Sequence, residues 1–267
     1  VADGLELLRV TAGYGSRLAL RDATFTVRRG EVVGLVGPNG SGKTTAVRVA
    51  SRSLRPRSGQ VLVAGEDPYR LSARSAARLT AVVPQEVAPT FEFTARELVL
   101  MGRTPYLTTL GGGGPEDHRR VREAMQTAGI EELADRHLHE LSGGEKQRVV
   151  LAQALAQDAP ILLFDEPTTH LDLRHLVQTL DTLAVLAASG HAVLSVFHDL
   201  NAAASSCDRL VALDRGRVVA DGTPDEVVTP SLLREVYGVE AEVHAHPVTG
   251  RPAVFVASGV DARQRLG

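Results

Sequence analysis

A chain of 267 residues has length for one large α/β domain or two small ones with a sizeable core. Apolar content of 43% and charged content of 23% are those of an ordinary soluble globular protein, and a formal charge of −3 gives no electrostatic case for nucleic acid as the main partner. One cysteine, Cys207, excludes an intrachain disulfide or a thiolate zinc site; no apolar run approaches the roughly 18 residues of a membrane span, so the expectation is a cytosolic protein or one held at a membrane by something else.

Residues 1–30 alternate, with Leu5, Leu7 and Val10, then Leu18 and Leu20, then Phe25 and Val27. Short strands separated by Gly13-Tyr14-Gly15 and Arg28-Arg29-Gly30 predict an antiparallel sheet. Tyr14 is an aromatic that either stacks on a base or packs in its turn. The apolar, β-branched run Val32-Val33-Gly34-Leu35-Val36 then reads as a buried strand, and residues 44–53 are compatible with a helix. Between them stands Gly37-Pro38-Asn39-Gly40-Ser41-Gly42-Lys43-Thr44-Thr45. Strand, glycine-rich turn and helix are the context in which G-x-x-x-x-G-K-[ST] is a phosphate-binding loop. Its glycines bring backbone N–H groups to phosphate oxygens, and the helix N-terminus favours an anion. Lys43 would reach the β- and γ-phosphates, and Thr44 would place its hydroxyl on Mg²⁺.

Further strands are predicted at residues 59–65 and 80–84, the latter ending at Gln85, where an open α/β sheet places ligands. A mostly helical insertion follows, from about residue 87 to 158. Thr94 with Glu97 predicts a capping box opening a helix over residues 95–101, and Pro115-Glu116-Asp117 opens a second one that stops near Gly129. The four glycines at 111–114 read as a connector, since no strand precedes them. Leu141-Ser142-Gly143-Gly144-Glu145 precedes an apolar helix; a serine cap explains Ser142, whereas two successive glycines at a helix start suggest close approach of another group.

Ile161-Leu162-Leu163-Phe164 is a buried strand ending in Asp165-Glu166, where a nucleotide's Mg²⁺ needs a ligand and an attacking water needs a base. Asp172 precedes a helix beginning near Leu173; residues 192–197 form another strand, ending in His198, and Asp199 is expected to cap a helix over residues 200–206. Two short strands, a helical pattern over residues 224–237 and one strand candidate at 253–256 complete the chain.

Together these elements, from about Leu5 to Gly238, resemble the ATP-binding cassette (ABC) ATPases, with Leu141-Ser142-Gly143-Gly144-Glu145 matching their signature sequence. The resemblance implies an α/β fold: a phosphate-loop (RecA-like) ATPase core with an N-terminal antiparallel β-subdomain and an inserted α-helical subdomain. The ATPase domain would span residues 1–240, with a tail over 241–267. Tyr14 would stack on adenine, and Gln85 would touch Mg²⁺ or the attacking water. Asp165 would hold Mg²⁺ with Thr44, Glu166 would be the catalytic base, and His198 would contact the γ-phosphate. Asp172 would belong to the D-loop, where His170 stands in place of the commoner alanine. ATP and Mg²⁺ are the implied ligands, and two copies would pack head to tail, residues 141–145 of one closing on ATP held by the other.

A narrower resemblance lies in residues 91–106, Gly222-Thr223-Pro224 and residues 232–238, which look like the ATPase subunits importing ferric siderophores, haem or cobalamin. It implies two membrane permease subunits contacting the stretch from Gln85 to Arg103, a substrate-binding protein acting through the permease, no nucleic acid, and a peripheral position on the cytoplasmic face of the cell membrane. The alternative is the ATPase of a zinc or manganese importer. A non-transport ABC ATPase acting on nucleic acid or ribosomes is disfavoured by the single cassette, the short insertion without heptads and the acidic balance.

Overall fold

The computed structural model describes residues 4–84, 92–107, 113–168 and 172–256. Two long antiparallel strands open the chain, β1 (Leu5–Tyr14) and β2 (Arg17–Val27). Short strands are predicted here, yet β2 runs on for 11 residues although Arg21-Asp22 interrupts its alternation. The interruption is instead absorbed as a bulge: the register shifts there, Asp22 takes φ 55°, and its N–H donates to Thr11 Oγ1 at 3.1 Å. β3 (Val32–Val36) begins a second sheet and leads into helix α1 (Lys43–Ala50), after which β4 (Ser58–Val63) returns to pair with β1.

Helix α2 (Ala73–Ala77) and strand β5 (Thr80–Val83) precede the inserted helices α3 (Ala95–Met101), α4 (Pro115–Thr127) and α5 (Gly143–Ala156). The chain re-enters the second sheet at β6 (Ile161–Phe164), then alternates through α6 (Leu173–Ala188), β7 (Ala192–Val196), α7 (Leu200–Ser206), β8 (Arg209–Asp214) and β9 (Arg217–Gly222). This sheet has the order β5-β6-β7-β3-β8-β9, with β9 alone antiparallel to its neighbour. Its central strands β3, β6 and β7 are buried at every residue, which is why they read as near-continuous apolar runs, broken only by Ser195 of β7. One core lies between the antiparallel sheet, α1 and one face of this sheet, a second lies between the other face and α6, α7 and part of α5, and a third lies inside the insertion. The architecture is thus an α/β phosphate-loop core with an N-terminal antiparallel β-subdomain and an inserted helical one.

The predicted helix over residues 224–237 is broken into short pieces, 224–227, 230–232 and a π turn over 233–237. Pro230 is the cause: it offers no N–H, and it pushes Thr229 into extended backbone at φ −123°, ψ 154°. The tail holds two strands rather than one, β10 (Ala241–Ala245) and β11 (Pro252–Val256), paired as a hairpin. β10 is largely exposed and has little apolar signal. The hairpin is tied to the core by Asn201, which exchanges two hydrogen bonds with the backbone of Val254, and by Arg251, which donates to Cys207 O at 2.7 Å.

In the insertion, Thr94 and Glu97 form the expected capping box. Arg103, placed by the resemblance at the end of a permease-contacting stretch, is 4% exposed. Its guanidinium pairs with Asp117 at 3.0 Å, donates to Ala156 O at 2.8 Å and stacks 4.0 Å from the centre of the Tyr106 ring, joining the ends of all three helices. Asp117 is held below the ordinary carboxylate pKa, first by the Gly114 N–H and then, against burial, by Arg103. Removing one partner of a buried pair strands the other. Arg103→Ala is therefore expected to destabilise the protein by about 3–5 kcal/mol, read as a lower urea midpoint.

Candidate functional site

Strand order creates the site. β6, β7 and β3 are parallel neighbours, so their carboxyl ends lie side by side at one edge of the sheet. The phosphate loop leaves β3, Asp165 and Glu166 leave β6, and Phe197 and His198 leave β7. The result is a cleft of about 730 Å³ walled by Tyr14, Gly40, Lys43, Thr44, Glu166 and His198. That volume lies in the range of small-molecule sites.

The loop is built to receive an anion. Gly37, Gly40 and Gly42 have φ of 143°, 77° and 113°, and Gly42 starts α1 with no side-chain cap and no acidic residue in the first turn. The other described helices of seven or more residues receive a hydroxyl or carboxylate there, from Thr94, Asp117, Ser142, Asp172 or Asp199. The first N–H groups of α1 and the buried Ser41 Oγ, which has no partner among the described residues, thus remain for a ligand. Lys43 is 5% exposed and donates to Gly37 O at 2.7 Å and Pro38 O at 3.1 Å. Burial lowers its pKa, and the nearby Glu166 and Asp165 oppose that shift.

The carboxylates sit beside it. Thr44 Oγ1 is 3.5 Å from Asp165 Oδ1. Burial, then the adjacent charge of Glu166, raises the pKa of Asp165. Arg48 and, more weakly, Lys43 offset the charge on Asp165 only in part, the Lys43 ammonium being turned into the loop's carbonyls. A hydroxyl and a carboxylate side by side under that excess negative charge fit a divalent cation. Glu166 has φ 58°, a strained value for a non-glycine residue, and its Oε1 lies 2.5 Å from His198 Nε2. A carboxylate only accepts, so the imidazole nitrogen is the donor.

Tyr14 ends β1 at the far wall, 44% exposed, its hydroxyl accepting from Arg48 at 2.9 Å. Arg17, Arg21 and Arg215 also line the cleft; the first two come from β2 and the third from the β8–β9 hairpin, whose meeting point no local pattern discloses. Gln85 and His170 lie outside the described residues. Leu141, Ser142, Gly143, Gly144 and Glu145 do not line the cleft among the described residues. Leu141 is buried in the insertion's core, and Ser142 and Glu145 cap α5 reciprocally, at 2.8 Å from Ser142 N to Glu145 Oε2. Asp172 caps α6.

This fold and site define a phosphate-loop nucleotide-binding cassette with a strand-end carboxylate pair. The ABC transporter profile matches residues 20–169, and the chain belongs to the ABC transporter family. It is 44% identical to the cobalamin import ATP-binding protein BtuD of Halobacterium salinarum over 90% of its own length, and spans 60% of that relative. It is 44% identical to the hemin import ATP-binding protein HmuV of Nocardia farcinica, covering 95% of this chain and 88% of that one. The iron(3+)-hydroxamate import ATP-binding protein FhuC of Bacillus subtilis is 39% identical, with 90% of each chain covered. A solved dimeric cassette in a post-hydrolysis state, bound to ADP and Pi, is 29% identical and matches with a TM-score of 0.70 over 82% of this chain and 98% of that one.

Proposed function

We propose that this chain is the ATP-hydrolysing subunit of an ABC importer that takes up an iron-siderophore, haem or cobalamin through a membrane permease. The observation that carries this reading is the meeting of the phosphate loop, Asp165, Glu166 and His198 at adjacent strand ends. Relatives named for exactly those three cargo classes supply its direction.

In this reading the loop N–H groups and Lys43 hold the triphosphate, with Tyr14 against the adenine. Thr44, Asp165 and Gln85 would hold Mg²⁺, which when bound neutralises charge on the transferring phosphoryl group. Glu166 takes the proton of the attacking water, and His198 holds it in line and meets the γ-phosphate. The cleft lacks residues 141–145 of its own chain among the described residues. A second copy packed head to tail supplies them, with Asp172 at the junction. Binding of two ATP molecules favours the closed dimer and hydrolysis removes the charge that holds it. Closure moves the insertion, and the permease subunits grip that insertion through the stretch beginning at Gln85; its exposed described residues are Glu92, Arg96, Glu97 and Met101. The protein thereby sits on the cytoplasmic face of the membrane, with an extracytoplasmic substrate-binding protein acting through the permease. Among the described residues no helix is long and apolar enough to cross a membrane.

The test is uptake of labelled ferric siderophore, haem and cobalamin by host cells whose gene carries Glu166→Gln. Loss of one cargo assigns it. Retention of all three, with loss of zinc or manganese uptake, would replace this reading with the metal-ion importer.

A further inference from the structure

His175 stands one turn into α6, at the third residue after the Asp172 cap. Asp172 Oδ1 accepts its backbone N–H at 2.9 Å and lies 2.8 Å from its ring Nδ1. These two bonds, the backbone one first, hold the Asp172 pKa below the ordinary carboxylate value. The carboxylate can only accept, so Nδ1 carries the proton and the ring is fixed with its Nε2 edge pointing away from the cap. That edge lies against Gly144: a Cβ built there would be 3.1 Å from Nε2 and 3.2 Å from Cδ2. The preceding Gly143 has nothing within 4 Å of such a Cβ among the described residues. The two glycines therefore have different neighbours. Gly143 is open, whereas Gly144 is a seat for an imidazole of its own chain.

The contact bridges two subdomains, since Gly144 belongs to the insertion and His175 to the sheet core. Beside it they are separated by a cavity of about 320 Å³ walled by Gln147, Arg148 and Gln178. A ring clamped at one end by a carboxylate and seated at the other on a glycine fixes the distance between the start of α6 and the start of α5.

We propose that His175 is a positioning residue that locks the signature turn to the D-loop end of α6, so that both reach the partner copy's nucleotide as one rigid edge. The proposal rests on the ATP-driven head-to-tail dimer of the preceding subsection. Without the ring, the insertion can turn about the cavity and the turn at 142–144 loses its register with Asp172. ATP binding to a single copy, at the phosphate loop, is untouched.

Two substitutions separate the ring's two roles. His175→Ala removes both contacts. His175→Asn keeps an amide donor where Nδ1 stands but removes the outer half of the ring that meets Gly144. In a Glu166→Gln background, both are expected to raise the protein concentration for half-maximal ATP-driven dimerisation about tenfold, measured by analytical ultracentrifugation. Binding of a fluorescent ATP analogue to the monomer is expected to change less than about twofold, and kcat with Glu166 restored to fall with KM for ATP nearly unchanged. Asn should keep the melting temperature within about 2 °C of the parent, since the α6 cap survives. An Asn variant that dimerises like its parent overturns the proposal, and so does loss of monomer ATP binding in either variant. If the Glu166→Gln parent itself stays monomeric with ATP, the dimer reading fails first, and the proposal falls with it.

Discussion

Glu166→Gln is expected to lower ATP turnover by roughly 10²–10⁴-fold, the span that a positioned general base contributes. The amide is nearly isosteric, and it can still accept the His198 Nε2–H that now reaches Oε1 at 2.5 Å. It can also hold the strained backbone at φ 58°, so geometry is kept while basicity is lost. Electrostatics push the same way for binding. The charge of Glu166 stands second only to burial among the causes that raise the pKa of Asp165. Without that charge the cleft carries one carboxylate fewer and repels a triphosphate less. ATP should therefore bind at least as well and stay unhydrolysed, trapping a dimer. Phosphate release and gel filtration with and without ATP check the two halves separately. A variant that remains monomeric at saturating ATP would remove the second half, and one that turns over normally would remove Glu166 from the chemistry.

Much of this site is legible in the chain because its parts are local. The run Val32–Val36, the nine-residue loop and the following helix form one continuous unit, and β6 and β7 announce themselves as mainly apolar stretches because both faces are covered. The Thr94–Glu97 box and the Asp199 cap are likewise decided within a few residues. What depends on strand order is not written locally. Nothing in residues 161–198 says that β6 and β7 are adjacent and that β3 lies beyond β7, yet that order alone brings Glu166 and His198 to 2.5 Å. Arg17 and Arg215 enter the cleft for the same reason. Gly144 is the instructive case. The sequence suggests that something approaches both glycines of the pair, but only the packing of α6 shows that a histidine thirty-one positions later occupies one of the two approaches. β10 escaped because its alternation, Ala241 to Ala245, is only five residues long and holds one large apolar side chain, Val243, so its partner strand is what specifies it.

Lys43→Ala is expected to reduce ATP affinity by about 10²-fold or more, since two charge-assisted hydrogen bonds to phosphate are each worth about 1.5–3 kcal/mol. The ammonium is held ready by Gly37 O and Pro38 O, so its place beneath the loop is set before nucleotide arrives. Its loss also leaves Asp165 and Glu166 without their nearest lysine, which adds repulsion toward the incoming phosphates. The protein without nucleotide should behave differently. Burial is the leading influence on the Lys43 pKa and works against the charged form, offsetting the two backbone bonds, so the variant should melt close to the parent. Thermal unfolding with and without ATP separates the two effects. A ligand at about 100 times its Kd stabilises the native state by about 2.7 kcal/mol, and this ATP-dependent rise should be present in the parent and almost absent in Lys43→Ala. Lys43→Arg refines the argument: it keeps the charge but replaces a compact ammonium with a planar fork in a 5% exposed site, so it should also lose most of the rise. If Arg restored the full shift, charge alone would account for Lys43, and the fitted seat between Gly37 O and Pro38 O would carry no weight.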